Sequence, residues 1–182
     1  MKVLRNILSW VVPIVVAVVI VLLVRTYLFE VVKVSGGSMD PNLTTNERMV
    51  VIKPLKLKRL SVIVFDAYGE DPAAAPNTNY VKRVIGLPGD KVVSKNGYIY
   101  VNNQKINQPF ISQASLAKKN HWTYRGNTVP QGHYFVLGDH RSISEDSRAW
   151  GYVDANKVMG VVKVPFWTGT RQHRTNINTM AS

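Results

Sequence analysis

Cysteine is absent from the 182 residues, which excludes disulfide scaffolds, thiolate zinc sites, iron–sulfur clusters and thiol nucleophiles. An oxidising compartment finds no thiol to attack in this chain. Histidine is scarce, with four residues and no metal-ligand spacing among them, so neither a metal nor another cofactor is expected. Acids are scarce as well: 11 Asp plus Glu stand against 23 Lys plus Arg, for a formal net charge of +12. The length suits one ordinary domain and argues against two of full size.

Long apolar runs are lacking except for one. Ile7 to Val24 is apolar apart from Ser9, with Trp10 near one end, and at 1.5 Å per residue it reaches about 27 Å, close to the hydrocarbon thickness of a bilayer. It predicts a single transmembrane helix, with Pro13 in its first turns, where a missing N–H is least damaging. Lys2 and Arg5 precede the run and Arg25 and Lys33 follow it, which favours a cytoplasmic N-terminus only weakly. A cleaved signal sequence is the alternative, but the residues after the run, Arg25-Thr26-Tyr27-Leu28-Phe29-Glu30, offer no small-x-small pair. The expected division is an anchor over 1–25, an extracytoplasmic domain over 26–168 and a polar tail over 169–182.

Past Arg25 the pattern becomes short alternating or apolar runs such as Val31–Val34, Arg48–Ile52, Val62–Phe65 and Tyr134–Leu137, which are strand signals. Asn96-Gly97 stands between Val92-Val93 and Ile99-Tyr100-Val101, a strong hairpin signature. The expected fold class is mainly β, built on an antiparallel sheet. Asp71–Asn79 reads as a loop, and Ser112–Gln131 as a polar excursion over the core.

The positive charge invites a nucleic-acid reading, since Arg48, Lys53, Lys56, Lys58 and Arg59 cluster around Leu55, Leu57 and Leu60. A solvated face is the plainer account. With an anchor nearby, attraction to anionic lipid head groups explains the sign more economically than nucleic acid does, so this stretch, with Phe166 and Trp167, is expected to rest on the membrane surface.

Three segments carry residues suited to chemistry. In Ser35-Gly36-Gly37-Ser38-Met39-Asp40-Pro41, two glycines allow a close turn that exposes the Ser38 hydroxyl and its own N–H. Asp40 stands where the α/β-hydrolase nucleophile elbow needs its last Gly, so it is not that motif. In Tyr80-Val81-Lys82-Arg83-Val84-Ile85-Gly86-Leu87-Pro88-Gly89-Asp90, a lysine lies inside an apolar strand pattern. Buried there, Lys82 would have a lowered pKa and a neutral amine able to act as a general base, which a serine nucleophile requires. The third segment, Gly138-Asp139-His140-Arg141-Ser142-Ile143-Ser144-Glu145-Asp146-Ser147-Arg148, is dense enough in polar groups to brace a site. Each alone reads equally well as an ordinary turn, a solvated strand lysine or a surface loop.

Together and in this order, the anchor, the Ser-Met-x-Pro box, a strand box over Arg59–Phe65, the Tyr-Val-Lys-Arg-Val-Ile-Gly-Leu-Pro-Gly-Asp box and the Gly-Asp-x-Arg…Ser-x-Asp-Ser-Arg box resemble the type I signal peptidases. These are membrane-bound Ser/Lys endopeptidases that release secreted proteins from their signal sequences. The single anchor and short domain are similar to Gram-positive bacterial members. The resemblance implies a partial-barrel β fold shared with LexA-type repressors, Ser38 as nucleophile and Lys82 as general base. It implies that Ser144 orients the lysine amine, and that Arg83, Asp139, Asp146 and Arg148 support the site, Asp146 and Arg148 as an ion pair. The Ser38 N–H would meet the oxyanion. Val32, Val34, Met39, Leu43, Val64, Tyr80 and Val81 match apolar positions that form two shallow pockets, which favour Ala at the minus-one and minus-three positions. No metal or cofactor is implied. The implied partners are signal-peptide-bearing preproteins and the bilayer, with the secretion translocon a further candidate and nucleic acid excluded. The implied location is the cell membrane, with one pass and the catalytic domain outside.

Several positions depart from that pattern. Gly36 stands where some members have a Ser or Thr donor to the oxyanion, leaving water or a neighbour such as Ser35 as the second donor. Asn42 replaces a usual Thr, and Leu60-Ser61 a usual Gly-Asp. His140 replaces a usual Asn and, next to Asp139, suggests a Ser-His-Asp triad. Adjacent side chains on an extended chain point to opposite faces, which argues against that relay. A self-cleaving repressor would need a DNA-binding helix pair where the anchor stands, and a pure binding module would have no need of Ser38, Lys82 and Ser144 together.

Overall fold

The computed structural model describes residues 2–53, 56–95, 98–111 and 125–179. Helix α1, Lys2–Tyr27, leads the chain. Its segment Ser9–Tyr27 has a mean hydropathy of 2.4, with none of it buried inside the structure, so it is long and apolar enough to cross a membrane. Pro13 lies well inside α1 rather than in its first turns, because the helix starts before the apolar run does.

Eleven strands follow among the described residues: β1 Phe29–Lys33, β2 Arg48–Ile52, β3 Val62–Asp66, β4 Asn79–Gly86, β5 Lys91–Lys95, β6 Tyr98–Val101, β7 Gln104–Lys105, β8 Arg125–Thr128, β9 His133–Leu137, β10 Val153–Asp154 and β11 Val158–Lys163. A short helix α2, Ser147–Trp150, precedes β10, and α3, Arg171–Asn178, follows β11. The fold is mainly antiparallel β with a curled half-barrel sheet. Seven strands form that sheet in the order β1-β2-β11-β3-β4-β9-β10, and four form a second, β7-β6-β5-β8. Lys95 pairs with Tyr98 across the expected hairpin, while its turn residues Asn96 and Gly97 lie outside the described residues, as does 112–124 of the polar excursion.

The strands form where Val, Ile and aromatic residues dominate, as β-branched side chains favour the pleated conformation. β3 reads as a continuous apolar run, Val-Ile-Val-Phe, and is buried on both faces, consistent with its place inside the sheet. One apolar cluster, including Met39, Leu43, Met49, Val64, Val162 and Ile177, lies beneath the turn that carries Ser38. A second, including Leu60, Ile85, Val92, Phe110 and Phe135, joins the two sheets.

Two sequence expectations are revised. The stretch from Gly169, expected to be a polar tail, folds into α3, with Thr170 capping it by accepting from the His173 N–H and with Asn176 and Ile177 buried. Burying Ile177 contributes about 2 kcal/mol, and one apolar face among many polar residues is enough to dock the helix. In the basic stretch, Leu57 and Leu60 pack into the core and Arg59 pairs with Asp90 at 3.0 Å, so those three are structural. Leu55 lies outside the described residues. Phe166 and Trp167 are 81% and 68% exposed and stack edge to face.

Candidate active site

Ser38 sits in a turn directly after β1. Gly36 has φ +84°, a left-handed conformation that side-chain-bearing residues rarely adopt. A Cβ at Gly37 would lie 2.6 Å from Asp40 Oδ2, so a larger residue there would displace the Asp40 side chain. Met39 and Leu43, both fully buried, anchor the turn in the core. The loop after β9 holds it from the other side: the His140 N–H donates to the Ser38 carbonyl at 3.0 Å, and His140 Nδ1 lies 3.2 Å from the Gly37 carbonyl. A carbonyl only accepts, so Nδ1 carries the proton in this contact.

Lys82 arrives on β4 and is 4% exposed. Its pKa is pushed down to about 8, chiefly by burial, with Asp146 and Glu145 pulling it back up and Arg148 opposing them. The amine lies 5.2 Å from the centre of the Tyr80 ring, an aromatic wall on the same strand. Such an amine loses its proton far more readily than a solvated lysine.

A cavity of about 410 Å³ brings these groups together. Ser38 and Lys82 both line it, with Ser35, Gly36 and Glu145. Of the expected pocket residues, Val32, Val34, Met39, Val64, Tyr80 and Val81 line it as well. Leu43 does not: it is fully buried in the cluster behind the wall. Met49 and Ile143 also line the cavity. Sequence reasoning missed them because only the pairing of β1 with β2 and the fold of the third segment carry them there.

Backbone pairing leaves two edges beside this cavity. β1 is the outermost strand of its sheet. β4 pairs with β9 only from Arg83 onward, so among the described residues Asn79 to Lys82 have no strand partner on that side.

The supporting ion pairs are both bidentate. Arg148 grips Asp146 at 2.7 and 2.8 Å, as the resemblance implies, and Asp146 also accepts the Gly138 N–H at 3.0 Å. Arg83 grips Asp139 through Nε at 2.8 Å and Nη2 at 2.7 Å. Arg83 stacks on Phe110 and donates further to the carbonyls of Leu60 and Asn176. Asp139 therefore faces Arg83 while His140 faces Gly37, and no Ser-His-Asp relay is assembled. Ser144 makes no hydrogen bond to Lys82 here: its hydroxyl donates to the Glu145 carbonyl at 3.4 Å. A Cβ at Gly138 would collide with Ser144 Oγ and the Ser38 carbonyl, so the two serine segments approach as closely as a glycine permits.

Two residues that the sequence reading did not place in the site belong to its frame. Arg141 is buried, bonded to the Gly138 carbonyl at 2.9 Å and to Gln108; burial lowers its pKa to about 10. Asn42 donates to Asp139 and to the Phe110 carbonyl, both at 2.8 Å.

Comparison with known proteins identifies the family. The family described as signal peptidase, peptidase S26, matches residues 7–167. Signal peptidase IB of Staphylococcus aureus (strain COL) is 37% identical over 180 residues, covering 90% of this chain and 91% of the relative. Signal peptidase I of Bacillus licheniformis is 36% identical over 182 residues, covering 94% and 95%. A crystal structure of a signal peptidase I from Enterococcus faecalis V583 superposes with a TM-score of 0.51 at 30% identity, covering 59% of this chain and 97% of that one. With matches of this extent and a serine and a buried lysine facing one cavity, the chain belongs to the signal peptidase family S26, whose members are serine endopeptidases.

Proposed function

We propose that this chain removes signal peptides by Ser/Lys acyl-enzyme chemistry, with Ser38 as nucleophile and Lys82 as general base. The observation that carries the reading is the shared cavity, in which Lys82 is almost wholly buried with its pKa near 8. Ser38 Oγ attacks the scissile carbonyl as Lys82 Nζ takes its proton. The oxyanion meets the Ser38 N–H, a contact that is most effective when preorganised, and Ser35, on the cavity wall, is the candidate second donor. Collapse breaks the C–N bond, and the leaving amine takes the proton from Lys82. Water, deprotonated by Lys82, then hydrolyses the ester, and the proton returns to Ser38. Ser144 acts by orienting the amine once substrate is bound, since catalytic hydrogen bonds often tighten only in the complex. Arg83, Asp139, Asp146 and Arg148 hold the two loops in register.

The substrate binds extended between the free edge of β1 and the unpaired half of β4, so that main-chain pairing supplies affinity and alternate side chains enter pockets. Val32, Val34, Met39, Val64, Tyr80 and Val81 line the cavity that those side chains enter, and shallow pockets formed by them would select small residues, giving cutting after Ala-x-Ala. Helix α1 is the single membrane pass, with its N-terminus cytoplasmic and the β domain outside, and it raises the effective concentration toward membrane-inserted preproteins. Lys53, Lys56 and Lys58, with the exposed Phe166 and Trp167, meet anionic head groups; the translocon is a further partner.

Cleavage of a purified preprotein bearing an Ala-x-Ala site, in detergent micelles, tests this. Wild type cuts after the second Ala, whereas Ser38→Ala and Lys82→Ala do not. Cutting by folded Lys82→Ala would place the base elsewhere.

A further inference from the structure

Helix α3 carries one polar side chain that is almost fully buried, Asn176. Its Nδ2 donates to Asn42 Oδ1 at 2.6 Å. The amide orientations follow from the partners: Asn42 Nδ2 already faces two acceptors, Asp139 Oδ2 and the Phe110 carbonyl, so its oxygen faces Asn176. Gln172 Nε2 donates to Asn176 Oδ1 at 3.0 Å, and the Asn176 carbonyl accepts from Arg83 Nη1 at 3.1 Å.

Three members of this network, Asn42, Asp139 and Arg83, adjoin the segments that carry Ser38 and Lys82. Asn42 belongs to the turn that Ser38 leads. Asp139 precedes His140, whose N–H and ring hold the Ser38 and Gly37 carbonyls. Arg83 follows Lys82 on β4. Helix α3 is docked independently of Asn176, by Ile177 in the core and by the Asn178 side chain, which bonds the Val164 N–H and carbonyl at 2.9 Å each. A buried amide is unfavourable for docking unless its bonds are made, so its placement against Asn42 needs a separate reason.

We infer that Asn176 is a positioning residue, which closes the Asn42–Asp139–Arg83 network and so fixes the Ser38 turn against the Lys82 strand. The inference rests on the Ser38/Lys82 reading above. The family match ends at residue 167, so this element of the site is contributed by chain beyond the matched segment. Without the Asn176 side chain, Asn42 Oδ1 is left unpaired in a buried place, and the turn shifts to satisfy it. Misplacement of reacting groups by about 1 Å can lower a rate by up to 10²-fold.

The test uses the full chain in detergent micelles with the Ala-x-Ala preprotein, and rates are normalised to the folded fraction by circular dichroism. Asn176→Ala is expected to lower kcat roughly ten-fold with KM unchanged. Asn176→Ser, which keeps a polar atom in the site, carries the comparison where the alanine does not fold. Ile177→Val, a change in packing alone, should lower Tm and leave kcat as in wild type. Combining Asn176→Ala with Asn42→Ala should add little further loss of kcat, as expected of one coupled unit. Wild-type kcat in the folded Asn176 variants, or additive losses in the double variant, would overturn the inference. Cutting by Ser38→Ala, or none by wild type, would instead overturn the Ser/Lys reading beneath it.

Discussion

Arg83 Nη2 lies 2.7 Å from Asp139 Oδ2, and neither side chain is exposed. A buried pair of this kind adds little over an apolar pair of the same shape, but removing one partner strands the other charge. Arg83 follows Lys82 and Asp139 precedes His140, so the pair joins the two strands of chain that hold the proposed base and the Ser38 turn. Asp139→Leu is therefore expected to destabilise the fold by about 3–5 kcal/mol, a fall in Tm of roughly 10 °C for a chain of this size. Arg83→Met combined with Asp139→Leu should recover part of that loss. Thermal unfolding followed by circular dichroism decides it, and a single variant within about 2 °C of wild type would contradict the account.

The proposed role of Lys82 predicts the pH dependence of activity. A lysine base acts in its neutral form, so kcat/KM should rise with pH through about 8 and show no inflection in the histidine range. Glu145, on the cavity wall, raises the Lys82 pKa. Glu145→Gln should move the inflection to lower pH, and a profile unmoved by that change would mean another group governs the rate.

The same burial has a consequence for stability. Burial lowers the Lys82 pKa from 10.5 in the unfolded chain to about 8 in the fold, so between those values the unfolded state binds more protons and stability increases with pH. Below about 8 both states are protonated, and the fold carries the whole penalty of a buried cation, about 3 kcal/mol. Lys82→Met should therefore stabilise the protein at pH 7 while abolishing cleavage. That advantage should shrink as the pH approaches 10, which denaturant melts at the two pH values measure directly.

Ser38 and Lys82 stood out in the sequence only through the order of boxes they share with the signal peptidases, since a Gly-Gly turn and a lysine in an apolar strand each read equally well as ordinary structure; the structure brings the two to one cavity. The strands were legible from their β-branched runs. The pairing of Arg83 with Asp139 was not, since it depends on the register of β4 against β9, a long-range property that no window of sequence contains. Asn42 looked like a departure in a turn, and its partner Asn176 stood in a stretch so polar that one buried face did not show. Ser144 was given a partner by resemblance that the structure does not join to it, and Leu43 was assigned to a pocket wall it stands behind.

The contrast between Leu43 and Val81 separates packing from specificity. Leu43 is fully buried in the cluster under the Ser38 turn, whereas Val81 is half-buried and faces the cavity. Leu43→Ala leaves a void and is expected to destabilise by about 2–5 kcal/mol, with the proposed preference for Ala at minus one and minus three unchanged. Val81→Ala removes less buried surface, so its stability effect is smaller, but it widens the wall that substrate meets. It should raise cleavage of preproteins with Val or Leu at one of those positions relative to Ala. Ratios of kcat/KM across such a substrate set distinguish the two: a shifted preference in Leu43→Ala, or none in Val81→Ala, would mean that the pocket is shaped by other residues.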